Sequence, residues 1–253
     1  MQTVTIESGR KSMHCPAFRG IMNDSDQSKG IPAPPVSKPA TAGTTIKLPA
    51  FGDILTAPNY VELLDTRRSL RNYSGKALTQ EQLTFMLWST QGIQQAREVN
   101  ALRPVPSGGC RHPFETYVVI KSVEGLEPGI YHYLPLEDAG EKSATIAKIG
   151  TVEDYESTIT NMLVGQAWAA KAPAVLFYSC IPYRAEWRYA EASHRVQLID
   201  LGHVGQNAML SAVALGLGSC CLAAYDQKIC DEILGLNGVD EYTVYAVSVG
   251  AAE

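Results

Sequence analysis

Hydrophobic positions change their period several times along the chain, and each change predicts an element. In "LTQEQLTFMLWSTQGI", residues 78 to 93, apolar side chains at Leu83, Met86, Leu87 and Ile93 recur at helical intervals. Thr79 is a candidate N-cap and Gln82, three positions on, completes a capping box, so a helix starts there. "FETYVVIKSV" (114 to 123) and "GIYHYLP" (129 to 135) are β-branched and aromatic runs separated by a Gly/Pro loop, which predicts two strands. Helical character returns in "EDYESTITNMLVGQAWAAKA" (153 to 172), and "PAVLFYSC" (173 to 180) is a short apolar run that fits a buried strand.

From Tyr183 onward there is no proline, and "WRYAEASHRVQLIDLGHVGQNAMLSAVALGLG" is long enough for one central helix, apolar at Val196, Ile199, Val204, Ala208 and Leu215. A helix apolar on most sides is buried. "SCCLAAY" then predicts a strand, "DQKICDEILGL" a helix opened by Asp226, and "YTVYAVSVG" a last strand. Strands mixed with long helices predict an α+β fold. Residues 21 to 50 are rich in Pro, Ser, Gly and Thr with almost no apolar period, so residues 1–54 are expected to form an extended or partly disordered arm. The folded domain is then residues 55–253.

Composition narrows the function classes. The 253 residues carry 21 Lys+Arg against 26 Asp+Glu, a formal net charge of -5. That argues against nucleic acid as the main partner, because phosphate-backbone binding relies on a basic surface. The N-terminal stretch has no apolar h-region and the longest apolar run is broken by Gly and Ser, so no secretory signal and no membrane span is expected and a cytoplasmic protein is predicted. Six cysteines (Cys15, Cys110, Cys180, Cys220, Cys221 and Cys230) form no CxxC pair and are expected as reduced thiols. Asp200 and His203 are three apart on the central helix, yet no third ligand follows at helical spacing, so no metal site is predicted.

Against the acidic balance, "DTRRSLRNYSG" (65 to 75) places three arginines within five positions. If the segment is extended, Arg67, Ser69 and Arg71 project to one face. If it is helical, Arg67 and Arg71 form an i, i+4 pair of like charges, unfavourable without an anion between them. In both cases the residue types suit a phosphate, since guanidinium forks match its oxygens bidentately and Ser adds a neutral donor. A second string, "PSGGCRHPFETYVV" (106 to 119), opens with Pro106, Ser107, Gly108 and Gly109, a loop whose backbone can approach a flat or phosphorylated ligand closely.

These strings, with "GLEPGIYHY" and "LIDLGHVGQNAMLSAVALGLGSC", occur in an order and spacing that resemble the nitroreductase-like FMN-dependent family, most closely its SagB-type branch of azoline dehydrogenases. The resemblance covers about residues 60 to 250. It implies a nitroreductase-like fold with a mixed central sheet flanked by helices, a dimer-dependent site and a homodimer with FMN at two interface sites. It also implies NAD(P)H as reductant and a small-molecule electron acceptor such as a nitroaromatic or quinone. The family string R-x-S-x-R/K matches Arg67, Ser69 and Arg71; many members also carry a basic phosphate ligand after the last strand, where this chain reads "SVGAAE", so either phosphate affinity is reduced or Arg68 substitutes. The loop Pro106, Ser107, Gly108 and Gly109 would come from the partner subunit, and backbone near Ala223 and Ala224 would face flavin N5. Where the azoline branch has a Lys-Tyr pair, this chain has Arg188 and Tyr189, the candidate catalytic residues. The alternatives are a SagB-type oxidation of thiazoline or oxazoline rings in a modified peptide and, in another class, a non-catalytic flavin-binding protein.

Overall fold

A computed structural model describes residues 23–40, 43–56 and 59–253, with a few isolated positions before residue 23. Most of the first 22 residues, Cys15 among them, lie outside the described residues.

Alternation along the strands builds the architecture. Among the described residues seven strands form one sheet in the order β1-β6-β5-β4-β7-β9-β8, and every neighbouring pair is antiparallel where a mixed sheet was expected. They are β1 (Thr45–Leu48), β4 (Phe114–Ile120), β5 (Gly129–Tyr133), β6 (Ala144–Gly150), β7 (Ala174–Cys180), β8 (Gly218–Leu222) and β9 (Tyr242–Gly250). A separate ribbon pairs β2 (Gln95–Ala96) with β3 (Ala101–Leu102). On β4, Val118 and Ile120 enter one core cluster while Tyr117 and Val119 enter the other, and on β7 Leu176 and Tyr178 part in the same way from Val175 and Phe177. Successive strand side chains point to opposite faces, so both faces of the sheet are covered.

Among the described residues six α-helices do the covering: α1 (Tyr60–Thr66), α2 (Gln80–Gln91), α3 (Tyr155–Met162), α4 (Tyr183–Tyr189), α5 (Ser193–Ala214) and α6 (Gln227–Leu234). Leu83, Met86 and Leu87 of α2 pack with Leu201, Val204, Ala208 and Ala212 of α5 in the first cluster. Ile159 and Met162 of α3 join Cys230 and Leu234 of α6 in the second. Thr79 caps α2 in a capping box with Gln82, and Asp226 caps α6 by accepting from Ile229 N–H. The fold is α+β, helices on both faces of a central sheet.

Three elements differ from the hydrophobic pattern. The helix expected across residues 187 to 218 breaks at Ala190, whose φ of 43° and ψ of -131° no helix accommodates, so α4 and α5 are separate. The helix expected to reach residue 172 stops at Met162, because Val164 and Gly165 take left-handed φ of 48° and 88°. Residues 45–48, within the stretch rich in Pro and Gly, form the edge strand β1 against β6.

The arm residues just before β1 hold the body through buried charge. Lys38 N–H donates to Glu115 Oε1 at 2.9 Å, and Lys38 Nζ pairs with Glu241. Glu115 is also held by Arg184 and by His132 Nε2 at 3.1 Å. Further toward the N-terminus, Gln27 N–H donates to the Trp187 carbonyl at 2.9 Å and Trp187 Nε1 donates to the Ile31 carbonyl at 2.8 Å.

Candidate functional site

The arginine string is extended. α1 ends at Arg67, and the chain then runs beside the free edge of β8, where Ser69 pairs in parallel with Ser219 and Leu70 N–H donates to the Ser219 carbonyl at 3.0 Å. Alternation along this segment places Arg67, Ser69 and Arg71 on one side. Tyr73 anchors its far end through a 2.7 Å hydrogen bond with Ser248 Oγ, and burial raises the pKa of that phenol.

The charge of this set is uncompensated. Among the described residues neither Arg67 nor Arg71 forms an ion pair. The Arg71 guanidinium lies over the Trp168 ring, 5.6 Å from its centroid. Ser219 Oγ is buried beneath the segment with no hydrogen-bond partner. Arg68 turns away: its Nη1 donates to the carbonyls of Asp65 (2.8 Å) and Arg67 (2.7 Å), so it neutralises the C-terminal end of α1.

Cys220 and Cys221 lie alongside the arginines, and burial pushes both thiols up in pKa, which keeps them neutral. At the end of β8, Ala223 and Ala224 are exposed, and Gln166 Nε2 donates to the Ala224 carbonyl at 2.9 Å. Gln166 and Trp168 therefore bring the loop after α3 to the same corner as Arg71 and Ala224. Pattern reasoning missed both, because a loop residue that touches the site only through folding leaves no periodic signal. Gly205 permits the close approach of α5 to this corner: a Cβ there would stand 2.7 Å from the Tyr245 ring and 3.3 Å from Cys221 Sγ.

A second group forms on the other side of α5. Ser107 and Gly108 both donate to Asp200, and the loop continues through Gly109 with a left-handed φ of 59°. A Cβ on Gly109 would stand 2.7 Å from both Arg188 Nε and Tyr189 Oη, so the glycine lets the loop lie directly on that pair. The Arg188 guanidinium is 5.5 Å from the Tyr189 ring centroid and donates to Gln27 Oε1 of the arm at 2.9 Å. Pro106 is exposed at the entry to the loop. Thus the structure joins residues 106–109 to Arg188 and Tyr189, and residues 67–71 to Ala224. Among the described residues no hydrogen bond or ion pair joins the two groups within one chain.

Two unpaired guanidiniums flanking a hydroxyl, with an orphaned buried hydroxyl beside them, are the donor set that a phosphorylated cofactor such as FMN needs. The residues fit that group. The chain belongs to the nitroreductase family: the model for that family matches residues 64–251. It is 30% identical over 189 residues to a Methanocaldococcus jannaschii protein designated a nitroreductase, covering 75% of this chain and 89% of the relative. It is 32% identical over 152 residues to the trifolitoxin-processing protein TfxB of Rhizobium leguminosarum bv. trifolii, covering 58% of this chain but only 39% of TfxB. A crystal structure of an Anabaena variabilis protein described as a nitroreductase superposes with a TM-score of 0.62 at 26% identity, covering 76% of this chain and 38% of that one. A toxin-processing relative accords with the SagB-type branch that the sequence motifs resemble.

Proposed function

We propose that the chain is an FMN-dependent oxidoreductase that takes electrons from NAD(P)H and delivers them to a flat electrophile such as a nitroaromatic or quinone. The observation that carries this reading is the pair Arg67 and Arg71, unpaired on either side of Ser69 in an acidic protein. FMN supplies a two-electron carrier between reductant and acceptor. Arg67 and Ser69 would hold its phosphate and ribityl hydroxyls, and Arg71 would supply positive charge near the N1/O2 edge, where negative charge develops on reduction. Backbone at Ala223 and Ala224 would face the N5 side, a role alanine can fill because only the backbone is needed. Residues 106–109 complete the site from a second copy, which makes the active form a homodimer.

The test begins with the purified protein. Bound yellow chromophore that releases FMN, and that bleaches anaerobically with NADH or NADPH, supports the reading. FAD in its place, or a colourless protein that refuses added FMN, overturns it; colour without bleaching points to a non-catalytic flavin binder.

The match to TfxB favours a second reading, oxidation of a thiazoline or oxazoline in a modified peptide. Arg188 argues against it, since arginine stays protonated and cannot serve as the base that the lysine of that branch offers. Its guanidinium is moreover held by Gln27. Arg188 is better suited to clamp an anionic substrate, with Tyr189 beside it as a proton donor.

A further inference from the structure

Asp200 sits in α5 with a carboxylate that the proposed chemistry does not use. The residue is only 4% exposed, and among the described residues it has no ion-pair partner. Among the described residues its side-chain hydrogen bonds all go to the glycine loop. Ser107 Oγ donates to Oδ2 at 2.6 Å, and Gly108 N–H is shared between Oδ1 and Oδ2 at 3.1 Å each. Ser107 Oγ in turn accepts from His112 N–H at 2.9 Å, so the carboxylate fixes both ends of the turn.

That turn would not hold its shape unaided. Gly109, Cys110 and His112 have φ of 59°, 54° and 43°, and two of these three are not glycine. Left-handed backbone at ordinary residues persists only where the surroundings over-determine it. The loop has no slack on its inner side, because a Cβ on Gly108 would stand 2.4 Å from Val196 Cγ1, one turn before Asp200 on the same helix. Burial raises the Asp200 pKa, while the hydrogen bonds from Ser107 and Gly108 act in the opposite direction and favour the ion.

We propose that Asp200 is the positioning residue of loop 106–109, holding it in the shape with which it completes the FMN site of a second copy. This rests on the flavin reading above. The arrangement also defines what the loop can offer. The only hydroxyl proton of Ser107 and the N–H of Gly108 are both committed to Asp200, so the loop meets a ligand through shape and its remaining backbone groups.

The experiment compares wild type, Asp200→Asn, Ser107→Ala and the double variant by FMN titration and by circular dichroism of the bound flavin. Amide exchange of residues 107–112 in the cofactor-free protein is the independent readout. Asparagine keeps the shape, but it removes the charge, and with its oxygen in the Oδ2 position its NH2 group takes the Oδ1 position, 3.1 Å from the Gly108 nitrogen, where it opposes that N–H. We expect Asp200→Asn to weaken FMN binding at least tenfold, to change the flavin dichroism and to speed exchange at Gly108 and His112 at least tenfold. Ser107→Ala should weaken binding less, and should cost less in the Asp200→Asn background than in wild type, because the two variants share the Ser107–Asp200 contact. FMN affinity within twofold of wild type with unchanged dichroism, or fully additive losses, overturns the proposal. If wild type binds no FMN, the flavin reading fails and the exchange data still decide whether Asp200 holds the loop. If Asp200→Asn does not fold, Ser107→Ala alone must show faster exchange at His112 and weaker FMN binding, and its failure to do so overturns the proposal.

Discussion

Replacing Lys38 by Met tests whether the arm is part of the folded core. Lys38 Nζ pairs with Glu241 and donates to Tyr117 Oη at 2.9 Å, while Glu241 Oε1 accepts from Tyr117 Oη at 2.9 Å and from Ser179 Oγ at 2.6 Å. The side chains of Lys38 and Glu241 are 27% and 10% exposed, so the pair is largely desolvated. Methionine keeps the length of the stem and the backbone bond to Glu115, but leaves Glu241 without its cation. Breaking a fully buried pair from one side costs about 3–5 kcal/mol. Water reaches about a quarter of the Lys38 side chain and replaces part of that loss, which brings the expected cost to about 2–3 kcal/mol. For a domain of this size each kcal/mol moves the midpoint by roughly 2–4 °C, so the melting temperature should fall by about 4–12 °C. Calorimetry on wild type, Lys38→Met, Glu241→Gln and the double variant measures it. The double variant should recover most of the loss, since no buried charge is then stranded. A Lys38→Met midpoint within 1 °C of wild type, or an equal loss in the Glu241→Gln background, refutes the reasoning.

Three further outcomes are expected. Burial, followed by the Arg103 charge, lowers the His112 pKa to about 3; burial also acts to raise the Glu115 pKa, but the charges and hydrogen bonds of Arg184 and His132 together outweigh it and hold Glu115 at about 2. Both folded values lie below the unfolded 6.5 and 4.5, so the unfolded chain binds more protons; stability is full above pH 6.5, declines toward pH 3 through His112 and declines again below pH 4.5 through Glu115. Urea midpoints that stay flat from pH 7.5 to pH 4 would contradict this. Arg71→Ala should slow reduction of bound flavin by about 3 kcal/mol, roughly a hundredfold, as for other single donors to a developing anion; stopped-flow rates equal to wild type at full FMN occupancy assign Arg71 another role. Offered a thiazoline peptide under air, wild type should give no two-hydrogen mass loss, and Arg188→Lys alone should gain it; efficient oxidation by wild type removes the case against azoline chemistry.

Strands β4, β5, β7 and β9 were legible as unbroken β-branched, aromatic and apolar runs, because both faces of the sheet are buried and each run is bounded by turn residues. So were the caps at Thr79 and Asp226, where one side chain answers one orphaned N–H. The break at Ala190 was not legible: alanine is the best helix former, and only the packing of Arg188 and Tyr189 on Gly109 shows why the chain turns there. Strand β1 was hidden by the composition around it. Its pairing with β6 is a long-range contact that local pattern does not encode. At the candidate site, residue types marked Arg67 and Arg71 as candidates for an anion, yet the contacts of Asp200 were invisible, since a carboxylate on a helix looks alike whether it faces water or a loop. The spacing to His203 drew attention to a metal, whereas the partners of Asp200 are Ser107 and Gly108.

The segment from Arg67 to Tyr73 does more than present side chains. β8 is the last strand of the sheet, and its outer edge is met by Ser69 and Leu70. An uncovered edge strand is a template for pairing with another chain. The segment proposed to bind the cofactor therefore also guards the sheet against self-association. Damage to this segment should show first as turbidity on storage and only afterwards as lost turnover, and supplying cofactor during expression should raise the soluble yield for the same reason.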